Sequence, residues 1–93
     1  MHSVYFLKST TNGKYYVGMT EKDPKQRALE HNQGSNDWTS QNGPFTLVYY
    51  ESYCCKEDAA KREAFYKTGM GRRIRDAIIG AVSAKGGPAS GGG

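Results

Sequence analysis

Apolar and polar positions alternate in two short runs near the start of the chain, Ser3–Ser9 (SVYFLKS) and Tyr15–Thr20 (YYVGMT), with Asn12-Gly13 between them. Runs rich in Val, Tyr, Phe and Thr around an Asn-Gly pair predict a β-hairpin. A two-residue turn at Asn12-Gly13 sets Ser9 against Tyr16, Leu7 against Gly18 and Tyr5 against Thr20. A four-residue loop instead sets Leu7 against Tyr16 and Tyr5 against Gly18. Both lengths are even, so both give the same parity. Tyr5 and Tyr16 share one face; Val4, Phe6, Tyr15, Val17 and Met19 share the other, the side expected to face the core. Gly18 leaves its place on the tyrosine face bare, open to a close approach.

The pattern then changes period. EKDPKQRALEHNQG predicts a short helix with Asp23 as N-cap, Pro24 in the first turn and Gly34 as the stop. Residues 35–44 are rich in turn formers and predict a loop. FTLVYYESY, Phe45 to Tyr53, predicts a third strand. KEDAAKREAFYKTG predicts a helix stopping at Gly69, with Cys55 as a weak cap and Glu57 and Asp58 suiting the dipole of its first turn. GRRIRDAIIGAV, Gly71 to Val82, predicts a last amphipathic helix with Ile74, Ile78 and Val82 on one stripe. The expected fold is α+β, a three-stranded antiparallel sheet flanked by about three helices. Residues 1–82 form one domain and residues 83–93 a flexible Gly-rich tail.

At 93 residues the chain suits one modest core. A net charge of +4 and a pI near 9.1 favour a polyanionic partner. Cys54 and Cys55 are adjacent, where a disulfide is strained, and no Cys/His spacing suits zinc. With no apolar run of spanning length, the expectation is a reducing, cytoplasmic setting (nucleoid-associated in a prokaryote) and no membrane.

Several residues are candidates for chemistry. Arg27 and His31 lie four apart, on one helix face. Glu63 stands on the stripe of Ala59, Ala60 and Tyr66, where a carboxylate is costly unless paired or metal-bound, and the small alanines suggest a cleft beside it. Each feature alone has an ordinary explanation: half-buried strand tyrosines, a polar surface helix, an edge glutamate bonded to a lysine. Together they make a chemically coherent set. One carboxylate can hold a hard divalent cation whose shell is completed by water and phosphate oxygens. Arginine can steady phosphate charge. A tyrosine hydroxyl can relay a proton from attacking water, with histidine assisting. Phosphodiester cleavage with one metal fits best.

The triplets VYF and YVG, followed in order by KQRALEHN, TLVYYESY and AAKREAFYKTGMGRR, resemble the GIY-YIG endonuclease domain. The resemblance spans roughly residues 3–75. It implies metal-dependent DNA hydrolysis with one divalent cation, Mg²⁺ or Mn²⁺. It also implies roles. Tyr5 and Tyr16 match the two active-site tyrosines, Gly18 the glycine closing the second triplet, Arg27 the arginine at the scissile phosphate, His31 a histidine of many members, and Glu63 the metal ligand. Ser3 and Val4 stand where the first triplet has Gly and Ile. A further Asn of some members has no match here; Lys67, Arg72 or Arg73 could do related work at the phosphate. Lys8 and Lys14 are candidates for the lysine that lowers a tyrosine pKa in other members, but parity sets Lys8 on the face opposite Tyr5, which favours His31 as proton acceptor.

The leading expectation is a divalent-metal-dependent endodeoxyribonuclease in DNA repair, recombination or mobile-element processing. Gly18, Lys67, Arg72, Arg73 and Arg75 are expected to contact DNA. Phosphate contacts position without specifying, so sequence preference should be weak, with selection for nicked, flapped or branched DNA and a larger partner supplying specificity. The alternatives are a catalytically silent nucleic-acid-binding module, a subunit of a larger nuclease complex, and an RNA-directed nuclease.

Overall fold

β1 (His2–Ser9) is the strand around which everything packs. Val4, Tyr5, Phe6 and Leu7 are each at most 1% exposed, so both of its faces are buried. The computed structural model describes residues 1–33, 42–84 and 89–90. The further elements are β2 (Tyr15–Thr20), α1 (Pro24–Asn32), β3 (Phe45–Tyr53), α2 (Lys56–Tyr66), α3 (Gly69–Ala84) and β4 (Ala89–Ser90). The sheet order is β2-β1-β3-β4. β1 pairs antiparallel with β2 and with β3, giving the expected three-stranded antiparallel sheet, and β4 adds parallel to β3. The parity read from the hairpin holds. Val4, Phe6 and Val17 pack with Ala59, Tyr66 and Ile79 of the α2–α3 layer, partly covered by Tyr15 and Met19. The tyrosine face is a second core: Tyr5, Leu7, Ala28 and Phe45, with Tyr16 beside them, under α1.

The hairpin takes the four-residue loop. Leu7 stands opposite Tyr16 and Tyr5 opposite Gly18. The Ser9 N–H donates to the Lys14 carbonyl at 2.8 Å and the Gly13 N–H to the Ser9 carbonyl at 3.1 Å. Gly13 has φ +73°, where glycine is at ease. A two-residue turn is displaced because the Ser9 hydroxyl organises the loop. It accepts from the N–H groups of Thr11 and Asn12, both at 3.2 Å, and donates to the Asn42 carbonyl at 2.5 Å.

α1 begins as its sequence predicts. Asp23 accepts from the Lys25 N–H at 2.9 Å and Pro24 opens the helix. It ends at Asn32, with Gln33 as C-cap; the expected stop at Gly34 lies outside the described residues, as does the predicted loop up to residue 41. Asn32 then ties α1 to β3, its Oδ1 accepting from the Phe45 N–H at 2.6 Å and its Nδ2 donating to the Phe45 carbonyl at 3.0 Å. In β3, Val48 is an extra residue: Phe6 pairs with Tyr49 and Leu7 with Leu47.

Several helical expectations need correction. α2 ends at Tyr66 and α3 begins at Gly69, because Thr68 caps α3: its Oγ1 accepts from the Gly71 N–H at 3.0 Å and its carbonyl from the Arg72 N–H at 2.9 Å. The buried stripe of α3 runs through Gly71, Ile79 and Val82, with the expected Ile78 half-buried against the same core, while Ile74 is 39% exposed. Ala59 is fully buried but Ala60 is exposed, so the two alanines do not flank a cleft. At the other end, α3 runs past Val82 to Ala84, and Ala89-Ser90 of the expected tail pair with Tyr49-Tyr50.

α2 and α3 meet where Gly71 lies flat against the last turn of α2. A Cβ there would strike the Phe65 carbonyl oxygen and come within 2.9 Å of the Tyr66 Cα. Both obstacles are backbone and cannot rotate away. Gly71→Ala is expected to cost about 1–3 kcal/mol through overpacking. Thermal unfolding checks this, at roughly 4–8 °C of midpoint for each kcal/mol.

Candidate active site

The site grows out of the buried face between the hairpin and α1. Tyr5 lies across Gly18 of the neighbouring strand. A Cβ at Gly18 would strike the Tyr5 hydroxyl and lie 2.6 Å from its Cζ and 2.9 Å from the Tyr16 Cε1. The bare place expected at Gly18 is thus taken by the end of Tyr5. His31, in the last turn of α1 and fully buried, meets that hydroxyl, with Tyr5 Oη 2.7 Å from His31 Nε2. Tyr16 completes the group, its ring centroid 4.8 Å from that of His31 and 6.3 Å from that of Tyr5.

The electrostatics give Tyr5 and His31 their protonation states. Burial pushes the His31 pKa below its ordinary value and the Arg27 charge adds to this, against a smaller opposing pull from Glu30. The ring is therefore neutral near pH 7 and Nε2 can accept from Tyr5. Burial, and next the neighbouring Tyr16, push the Tyr5 pKa well above its usual value. Arg27 opposes that rise by charge and hydrogen bonding, and the Glu63 charge adds to it. Tyr5 is a donor at rest, with a cation and an anion both felt at its hydroxyl.

Arg27 lies one turn before His31. Its Nη1 donates to Glu30 Oε1 at 2.8 Å, and Lys22 Nζ donates to Glu30 Oε2 at 2.8 Å. Lys22 first, then Arg27, hold the Glu30 carboxyl below the usual carboxylate range. Glu30 braces Arg27 and leaves part of a five-donor guanidinium for other work. Glu63 stands on α2 with its side chain about one quarter exposed; Lys67 Nζ lies 3.4 Å from its Oε2. It sits at the edge of the apolar stripe, paired with a lysine one turn on, and its charge still reaches Tyr5.

Among the described residues no three His, Cys, Asp or Glu side chains gather as a metal cage. Glu63 is a partly open carboxylate held by one long, exposed ion pair. That donor set fits a hard cation carried mainly by water and substrate oxygens, with one protein ligand. Displacing the Lys67 ammonium would be the cost, a small one for an exposed pair.

Beside the tyrosines lies a cleft of about 290 Å³ lined by Tyr15, Tyr16, Val17, Tyr66, Lys67, Arg72 and Arg75. Tyr16 therefore belongs to both the ring cluster and the cleft. Arg75 stands over the Tyr15 ring at 5.7 Å and bonds Asp76 at 3.1 Å. Of the basic residues singled out from the sequence, Lys67, Arg72 and Arg75 come together here; Arg73 is exposed and does not line the cleft. Lys8 stands 5.9 Å from the Tyr15 ring, on the face away from Tyr5, and Lys14 is exposed in the hairpin loop.

Two charged residues escaped the sequence reading. Glu30 had a signal, its i,i+3 spacing from Arg27. Glu51 had a clearer one: it falls between Tyr49 and Tyr53 at period two, so the strand turns it inward with them. It is 9% exposed and accepts from Tyr49, Tyr53, Tyr66 and Arg62 at 2.7–3.0 Å.

Known proteins match this arrangement at the level of family. The GIY-YIG catalytic domain matches residues 1–74. A UPF0213 protein of Staphylococcus epidermidis is 40% identical over 68 residues, covering 72% of this chain and 80% of the relative. One from Halobacterium salinarum is 39% identical over 80 residues, covering 85% of this chain and all of the relative. One from Staphylococcus aureus is 40% identical over 68 residues. No solved structure matches at a significant level. A catalytic-domain match over most of the chain, relatives of similar length and a helix–hairpin site built on both triplets lead to one conclusion: the chain belongs to the GIY-YIG family, a domain of nuclease type, alongside the UPF0213 proteins.

Proposed function

We propose that this chain is a metal-dependent endonuclease that hydrolyses DNA phosphodiesters. The observation that carries the reading is the 2.7 Å bond between two buried groups, Tyr5 Oη and His31 Nε2, with Arg27 and Glu63 charges felt at the same hydroxyl. Any buried tyrosine hydroxyl needs a partner; a neutral imidazole in that place is a partner that can also take the proton.

The chemistry follows from these atoms. A divalent cation held by Glu63 would supply positive charge to the phosphate and the leaving oxygen. Tyr5 is too weakly acidic to store a proton vacancy, so its hydroxyl works as a relay. It passes its proton to His31 Nε2 while it takes one from the attacking water. The water oxygen bonds phosphorus, the P–O bond to the leaving sugar oxygen breaks, and that oxygen takes a proton from solvent. His31 returns its proton by way of the Tyr5 hydroxyl for the next turnover. Arg27, braced by Glu30, steadies the phosphate charge as it grows. Lys67, Arg72 and Arg75 hold the flanking backbone against the tyrosine wall of the cleft.

Supercoiled plasmid should be nicked with Mg²⁺ or Mn²⁺ and left intact with chelator. Glu63→Ala should lose at least about 100-fold in rate while binding DNA as well as the native chain in chelator. Salt-sensitive, metal-independent binding without any nicking would replace this reading with a silent binding module.

The pH dependence has a definite sign. His31 must be neutral to accept, and its folded pKa lies below 6.5. The cleavage rate should therefore rise with pH through a midpoint below the ordinary histidine value of about 6.5, and show no basic limb from Tyr5 in the neutral range. Tyr5→Phe should lose roughly 10²–10⁴-fold, measured on the plateau. Stability moves the same way: the unfolded chain protonates His31 more readily than the folded one. The unfolding midpoint in denaturant should be level above about pH 6.5 and fall as pH drops below it.

A further inference from the structure

Glu51 lies on the α2 side of the sheet, opposite Val4 of β1, and both of its oxygens are fully used. Oε1 accepts from the Tyr53 hydroxyl at 2.7 Å and from Arg62 Nε at 3.0 Å. Oε2 accepts from the hydroxyls of Tyr49 at 2.8 Å and Tyr66 at 2.9 Å. Burial pushes its pKa up, but the bonds from Tyr53, Tyr49, Tyr66 and Arg62 outweigh burial, and the group stays ionised. Two of the four donors come from β3 itself. The other two, Arg62 and Tyr66, come from α2, one turn apart, and Glu63 lies between them in the chain.

Such a pair of donors constrains a helix in two ways. A roll about the helix axis moves Arg62 and Tyr66 off the carboxylate together, and a slide along the axis lengthens one bond as it strains the other. Ring packing stiffens the clasp. The Arg62 guanidinium stacks over Tyr66 at 4.5 Å and Phe65 at 4.9 Å, and Tyr66 meets Phe6 edge-on at 4.8 Å. A buried ion pair of this kind is a weak device for stability alone, since apolar residues of the same volume often serve as well or better. Its advantage is directional.

We propose that Glu51 is a positioning residue: its carboxylate, clasped by Arg62 and Tyr66, fixes the roll and height of α2 so that Glu63 can leave Lys67 and hold a divalent cation at the Tyr5 hydroxyl. This rests on the nuclease reading above. It assigns a task to a group that touches neither DNA nor the reacting atoms.

The test separates donors from the helix and donors from the sheet. Tyr66→Phe and Tyr53→Phe each delete one hydroxyl bonded to Glu51, but only Tyr66 is on α2. Mn²⁺ affinity is read by electron paramagnetic resonance on the protein saturated with a mixed-sequence phosphorothioate duplex that resists cleavage, with Glu63→Ala as background. Tyr66→Phe and Glu51→Gln should weaken Mn²⁺ binding about tenfold, in the range expected for partners that orient a ligand. Tyr53→Phe should leave it unchanged, and Tyr53→Phe and Glu51→Gln should bind duplex in chelator like the native chain. If Tyr66→Phe and Tyr53→Phe lower the unfolding midpoint alike and both keep native Mn²⁺ affinity, Glu51 is purely structural and the inference is overturned. If Glu51→Gln does not fold, the two tyrosine variants still decide. If the native chain and Glu63→Ala bind Mn²⁺ equally, the nuclease reading itself falls, and the inference with it.

Discussion

A central strand buried on both faces is the constraint on which the rest of this molecule depends. β1 has no solvent side between Val4 and Leu7, so each of its side chains must find a partner layer. Alternation sends Phe6 to the α2–α3 layer and Tyr5 to α1. A polar group in so closed a place needs a partner, and the hydroxyl of Tyr5 finds it in His31. The same closure shifts both groups away from their charged forms, the property on which the proposed proton relay rests.

The charged residues follow one logic on both sides of the sheet. On the α1 side, Glu30 is shared between Lys22 and Arg27 at the surface, where pairing aims a guanidinium more than it stabilises the fold. On the α2 side, Glu51 is shared between Arg62 and three tyrosines in the interior, where each lost bond would strand a buried polar group. One carboxylate steadies the arginine of the site and the other steadies the helix that carries Glu63.

Much of this was legible in the sequence because it depends on local rules. Strand period two set the faces of Tyr5, Tyr16, Val4 and Phe6, and Asp23-Pro24 announced α1. The hairpin register was not decidable, since the contact that selects the longer loop is tertiary, from Ser9 to Asn42. Thr68 hid the start of α3 because Gly69 read as a stop and Gly71 as the start of the next helix, and of the stripe assigned to that helix only Ile74 failed to turn inward. Ile74 and Ala60 came out exposed where helical spacing alone had turned them inward. Glu51 was masked by the strength of its surroundings: in a strand so rich in tyrosine, one carboxylate reads as a solvent position until its parity is counted.

The two ends of the segment between α1 and β3 are pinned close to the chemistry. Asn32 grips the backbone of Phe45 with both ends of its amide, and the Ser9 hydroxyl holds the Asn42 carbonyl. His31 is fixed on one side of this clamp and β1 on the other. The hairpin loop, the end of α1 and the start of β3 are thus drawn to one end of the sheet, so a disturbance at Asn32 would reach His31 through the helix and Phe45 through the strand.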